Sequence, residues 1–216
     1  MPTCSGANAM RLLLIGFGPF PSAPFNPSAI LVKALARRRR PVLAEIVCTA
    51  HVLATTYAAV DHDLPRLFAQ KPDIILMFGL AGRRRHLCIE TQARNAVTVL
   101  FPDASGHRPQ RGVIVPGGEA VLRGAAPFAD LLGAMRGRRI PARLSRDAGR
   151  YLCNYAYWCA LERARGGRPL VQFVHIPPAS LTPRPRRQNG RSGPSFAALV
   201  AAGEALLIAL MAASRR

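Results

Sequence analysis

The chain has 216 residues, half of them apolar, and a formal net charge of +19. That length suits one domain with a full hydrophobic core, here spanning residues 1–216, and the apolar share excludes an intrinsically disordered chain. The charge comes from 28 Arg and 2 Lys set against 11 acidic residues.

Arg11–Ile15 reads as a buried strand closed by Gly16. Asn26-Pro27-Ser28 then opens a helix to about Ala36, with Asn26 as its cap and Pro27 in the first turn. Ala44–Val52 reads as a strand, and Thr55–Ala69 as a helix with Leu64, Leu67 and Phe68 on its inner face. Asp73–Phe78 is a central strand stopped by Gly79, and His86–Phe101 holds one or two more strands. A helix near Pro127–Arg136 and a short strand near Ala142–Leu144 lead to a helix over Tyr151–Arg163. The strand Leu170–His175 and a C-terminal helix with Leu199, Leu206, Leu207 and Leu210 facing the core complete the order. Two stretches read as loops, Pro102–Gly118 and Pro177–Pro194, with 179–194 expected to be mobile. Strands alternating with helices predict an α/β sandwich with a largely parallel sheet, whose sites gather at the carboxyl ends of strands.

Arginine runs occur at Arg37–Arg40, Arg83–Arg85 and Arg138–Arg139, and across Arg184–Arg187. Such charge attracts polyanions through counterion release. The runs have no interleaved aromatics and no nucleic-acid-binding motif beside them. Solvated basic surfaces are expected, holding nucleic acid only non-specifically. The five cysteines (Cys4, Cys48, Cys88, Cys153, Cys159) form no CxxC pair, and no secretory leader is read ahead of them. Free thiols in a reducing cytoplasm are expected, with residues 1–10 frayed. No membrane span is expected: the most apolar stretch, Phe196–Met211, is broken by Gly203-Glu204 and reads as too short.

Three residues could carry chemistry. Cys153 stands near the start of a helix, where the dipole favours a thiolate, and Asp147-Ala148-Gly149 can form the turn that leads in. Free cysteines are among the most buried residue types, so Cys153 needs a spatial partner before it reads as a nucleophile. Cys159, among Tyr157, Trp158 and Leu161, reads as core. His175 ends an apolar strand and precedes Ile176-Pro177-Pro178, which suits either a site position or a satisfied core histidine. Glu90 is the one acid between Gly79 and Phe101. It is either a counter-ion for its arginine neighbours or the group that orients an imidazole. No pair of histidines has metal-ligand spacing, so no metal is expected.

These residues fall in four blocks that resemble the pyroglutamyl peptidase I family of cysteine peptidases. The blocks are Gly16-Phe17-Gly18-Pro19-Phe20 with Asn26-Pro27-Ser28; Gly79-Leu80-Ala81-Gly82 with Glu90; Ala148–Asn154 around Cys153; and Phe173-Val174-His175-Ile176-Pro177. The resemblance runs from about residue 11 to 178. It implies a three-layer α/β/α sandwich with a largely parallel, mixed central sheet, often assembled as a homo-oligomer (tetramer or dimer). It implies Cys153 as nucleophile, His175 as general base and acid, and Glu90 as orienter. Phe17 and Phe20 would wall a pocket for the pyroglutamyl ring, the substrates would be peptides with a blocked N-terminus, and the reaction implied needs no metal or organic cofactor.

The chain departs from the family pattern at several positions. Leu80 stands at the family's usual pocket Gln, Arg83 at a Gly, Thr91 at an Arg, and Pro21-Ser22 at a Gly-Gly pair. Ala96-Val97-Thr98 replaces residues that are commonly acidic. Two alternatives stand beside the peptidase: a related amidase with an altered substrate, and a basic protein that keeps the fold and binds RNA or another polyanion.

Overall fold

Interior strands that are apolar on every residue must be covered on both faces. Leu12–Ile15 and Ile74–Phe78 meet that condition, and both runs are buried throughout, as is Val171–Ile176 despite its polar Gln172 and His175. A computed structural model of the chain describes residues 9–20, 23–38, 46–179, 187–188, 191–192 and 194–216. Its strands are β1 (Met10–Phe17), β2 (Ile46–Leu53), β3 (Ile74–Leu80), β4 (Leu87–Glu90), β5 (Gln92–Arg94), β6 (Val121–Arg123), β7 (Ala142–Ser145), β8 (Leu170–Ile176), β9 (Arg187–Gln188) and β10 (Arg191–Ser192). The helices are α1 (Pro27–Ala36), α2 (Tyr57–Ala69), α3 (Phe128–Gly137), α4 (Leu152–Arg163) and α5 (Phe196–Ser214).

Six strands form one sheet in the order β2-β1-β3-β8-β4-β7. Strands β2, β1, β3 and β8 are mutually parallel; β4 runs antiparallel to β8 and parallel to β7. Side chains alternate across a strand, so each interior strand feeds two cores. Leu12, Leu14, Leu76 and Val174 pack with α1, α3 and α5, whereas Leu13, Ile15, Met77 and Phe173 pack with α2 and α4. The result is a mixed, mostly parallel sheet between two helical layers, as expected.

The expected elements recur with small shifts at their ends. Strand β6 has no counterpart in the sequence reading, since three residues carry no period. It pairs with β5 in a separate antiparallel ribbon. Of residues 1–10, read as a frayed start, 1–8 lie outside the described residues and Met10 opens β1; most of 179–194, read as a mobile loop, also lies outside them, and within that stretch β9 and β10 pair antiparallel. One expectation is corrected. The stretch read as too short for a membrane span forms a helix of 19 residues, long and apolar enough to cross one. Its packing is that of a core helix, with Leu199, Leu206, Leu207 and Leu210 each at most 1% exposed. Glu204 on α5 is buried as well, and Arg38 Nε lies 3.0 Å from its carboxylate.

Candidate active site

Strands β1, β3 and β8 end at the same edge of the sheet, where Phe17, Leu80 and His175 line one cleft. The first block builds a wall of it by local hydrogen bonding. Asn26 caps α1 through Oδ1, which accepts the Ser28 N–H at 3.1 Å and the Ser28 hydroxyl at 2.8 Å. Ser28 Oγ in turn accepts the Phe17 N–H at 3.0 Å, and Asn26 Nδ2 donates to Gly18 O at 3.1 Å. The Thr55 hydroxyl donates to the same carbonyl at 3.0 Å. The Asn-Pro-Ser sequence thus starts the helix and fixes the chain that carries Phe17. Gly16 permits this crossing, because a Cβ there would lie 2.6 Å from Ser28 O.

The nucleophile block folds around a turn. Asp147 Oδ1 accepts the Gly149 N–H at 3.1 Å, and Gly149 has φ +86°, a conformation that suits glycine. Helix α4 begins at Leu152, so Cys153 is its second residue, as the sequence predicts. The first N–H groups of a helix lack intrahelical acceptors and carry positive partial charge, which favours an anion at this point. Tyr151 precedes the helix without a side-chain cap, and its hydroxyl donates to Pro102 O at 2.8 Å. Asn154, fully buried, accepts the Arg94 N–H and donates to Arg94 O and Ala96 O, each within 2.9 Å.

His175 is the penultimate residue of β8 and is 7% exposed. Register explains its partner. Antiparallel β4 sets Cys88 opposite His175 and Glu90 opposite Phe173, so Glu90 is a diagonal neighbour of His175 on one face. His175 Nδ1 lies 2.8 Å from Glu90 Oε1. With Nδ1 donating to the carboxylate, Nε2 is the ring nitrogen left for other contacts, and Cys153 lies close enough to the imidazole to raise its pKa. Burial by itself would lower the His175 pKa. The hydrogen bonds to Cys153 and Glu90, with the charges of both, outweigh burial and push it up to about 9.

Close packing sets the thiol position. A Cβ at Gly79 would lie 2.8 Å from Cys153 Sγ and 2.8 Å from Phe173 Cζ. The other described thiols have different surroundings. Burial pushes Cys159 up to about 12 and Cys48 up to about 11. Burial also raises Cys88, against the opposing influence of Arg84. Cys153 is half-buried and opens on a cleft of about 170 Å³ lined by Phe17, Phe20, Leu80, Gly149, Tyr151 and His175.

All six sequence-predicted site residues therefore meet here: Cys153 and His175 line the cleft with Phe17, Phe20 and Leu80, and Glu90 stands behind His175, hydrogen-bonded to it. Arg84 was hidden from the sequence reading inside a run taken as solvated surface. Its Nη1 donates to Glu90 Oε1 at 3.1 Å and its Nη2 to Asp147 O at 3.1 Å. The signal that could have exposed it is the isolation of Glu90, a lone acid six residues beyond it.

A thiol next to an imidazole that is oriented by a carboxylate, at a helix N-terminus, can perform acyl transfer. A family model described as pyroglutamyl peptidase matches residues 10–216. The chain belongs to the pyroglutamyl peptidase family. It is 32% identical over 171 residues to the pyrrolidone-carboxylate peptidase of Thermococcus kodakarensis, covering 78% of this chain and 81% of that one. It is 29% identical over 198 residues to that of Vibrio vulnificus strain YJ016, covering 92% and 91%. Among solved structures, pyrrolidone carboxyl peptidase from Thermus thermophilus superposes with a TM-score of 0.78 at 30% identity, covering 92% of this chain and all of that one. A mutant of the Pyrococcus furiosus enzyme superposes at 0.81 with 26% identity, covering 94% and 99%. Membership in this family favours neither the amidase nor the polyanion-binding alternative.

Proposed function

We propose that this pyroglutamyl peptidase family member is a cysteine exopeptidase that removes N-terminal pyroglutamate through a thioester, with Cys153 as nucleophile, His175 as base and acid, and Glu90 as orienter. The observation that carries the reading is the Cys153–His175–Glu90 series at the mouth of a cleft lined by Phe17, Phe20 and Leu80. The lactam ring is small, flat and uncharged, so aromatic and aliphatic walls bury it while backbone groups pair its amide. Its α-nitrogen lies inside the ring, so the cleft needs no carboxylate to grip an amine.

The thiolate of Cys153 attacks the carbonyl carbon of the pyroglutamyl residue, and the electron pair moves to oxygen. N–H groups at the start of α4 hold the oxyanion. As the intermediate collapses, the C–N bond breaks and the His175 imidazolium gives its proton to the leaving amine. A water then loses a proton to His175 and attacks the thioester. The C–S bond breaks, pyroglutamate leaves, and the Cys153–His175 pair is restored.

Release of fluorophore from pyroglutamyl-coumarin amide tests this directly. Turnover is expected from the wild type between about pH 6 and 9, and Cys153→Ala or iodoacetamide should abolish it. An inactive wild type would sink the proposal. Leu80, half-buried in the cleft, offers no side-chain hydrogen bond to the lactam. A site that leaves a substrate amide partly unpaired discriminates less well, so Leu80→Gln is expected to raise kcat/KM on the pyroglutamyl substrate about tenfold. Unchanged kinetics would remove Leu80 as a specificity determinant.

A further inference from the structure

We propose that Arg84 is a positioning residue: its guanidinium fixes Glu90 in the orientation that serves His175 and couples this carboxylate to the loop that leads into Cys153. The kinetic consequence rests on the peptidase reading above. Arg84 stands in the turn after β3, where its N–H donates to Ala81 O at 3.0 Å. Its side chain is 32% exposed and is not part of the cleft wall.

The geometry of Glu90 creates the need for it. Glu90 is fully buried, and His175 Nδ1 bonds its Oε1. Its Oε2 has no hydrogen-bond partner among the described residues. A carboxylate held by one donor offers two equivalent oxygens, and rotation between them costs no hydrogen bond. Arg84 Nη1 is a second donor on the same oxygen, at 3.1 Å from a different direction. Two donors converging on Oε1 define the torsion of the carboxylate and, through it, the plane of the imidazole.

The same guanidinium reaches the nucleophile loop. Nη2 donates to Asp147 O at 3.1 Å, and Nη1 lies 3.4 Å from Ser145 Oγ. Ser145 Oγ accepts the Asp147 N–H at 3.2 Å, and Asp147 Oδ1 accepts the Gly149 N–H. One planar, rigid fork therefore spans the orienting acid and the turn that sets the start of α4. Lysine cannot replace it, because a single ammonium on a flexible stem has no fixed angle between its two acceptors.

A role limited to neutralising Glu90 predicts that Arg84→Lys behaves as wild type, and this separates the two accounts. Steady-state kinetics on pyroglutamyl-coumarin amide should show kcat lowered about 10- to 100-fold in both Arg84→Lys and Arg84→Ala, because small misplacement of reacting groups has effects of that order. KM should be retained, since Arg84 does not line the cleft. Millimolar ethylguanidinium should restore part of kcat to Arg84→Ala. Where Arg84→Ala does not fold, Arg84→Lys carries the test. Wild-type kcat in Arg84→Lys, or a loss confined to KM, overturns the proposal. An inactive wild type would instead refute the peptidase reading. Arg84 is then tested by iodoacetamide alkylation of Cys153 read by peptide mass spectrometry: slower labelling in Arg84→Lys is expected, and equal rates overturn the proposal.

Discussion

His175 is held between burial, which disfavours its charge, and its interactions with Cys153 and Glu90, which favour it; the interactions prevail and its pKa rises from 6.5 to about 9. A raised folded-state pKa means that the folded protein keeps a proton which the unfolded chain releases. The resulting stabilisation is complete below about pH 6.5 and is lost as the pH rises through about 9. Glu90→Gln weakens one of the two interactions that raise this pKa, so the variant should lose stability over a narrower and lower pH range. Melting temperatures of both proteins across this range provide the check, because other titrating groups cancel in the difference. Parallel curves would show that Glu90 does not hold the imidazolium. At this scale Cys153, His175 and Glu90 were legible, the first as a thiol near a helix start and the other two as polar residues ending apolar runs. Arg84 was not, because the same residue type fills the positions on both sides of it. Gly79 was legible only as a strand terminator; its second property, making room for Cys153 Sγ, depends on a contact 74 positions along the chain.

Secondary structure brings the site together through strand order and strand direction, which differ in how plainly a sequence shows them. The hydrophobic period marks β1, β3 and β8, and the cap sequence Asn26-Pro27-Ser28 marks α1, because these signals are local. The antiparallel sense of β4 is not local. It comes from pairing with β8, a strand some 80 residues later, and it alone makes Glu90 the diagonal neighbour of His175. Helix α4 similarly depends on a distant clamp. Asn154 satisfies backbone groups of Arg94 and Ala96 from a fully buried position, so that the segment after β5 is fastened to the helix immediately after Cys153. Asn154→Ala leaves one N–H and two carbonyls without that partner. A loss of about 2–4 kcal/mol is expected from urea unfolding, on the scale of stranded buried polar groups. A change below about 0.5 kcal/mol, the range of ordinary surface substitutions, would mean that the clamp is dispensable.

Across the whole molecule the dominant force beyond the core is self-repulsion. With 30 basic residues against 11 acidic ones, most arginines have no carboxylate available to them. Among the described residues Arg38, Arg84, Arg94, Arg165, Arg168 and Arg216 pair with acids, yet apart from those to Glu90 and Glu204 these pairs lie at least partly in solvent on both sides. Exposed pairs contribute about 0–1 kcal/mol each and weaken as salt screens them. Repulsion among the remaining cations weakens in the same way, and with a net charge of +19 like-charged pairs of residues outnumber oppositely charged ones. The melting temperature should therefore rise as sodium chloride is increased from about 10 mM to 150 mM, an interval over which the screening length shortens from about 30 Å to 8 Å. Replacing exposed Arg83 and Arg85 with Gln should reduce that rise without touching Arg84 or the sheet beneath it. A melting temperature that falls with salt would mean that the exposed pairs outweigh the repulsion and that the arginine excess is arranged as a stabilising network.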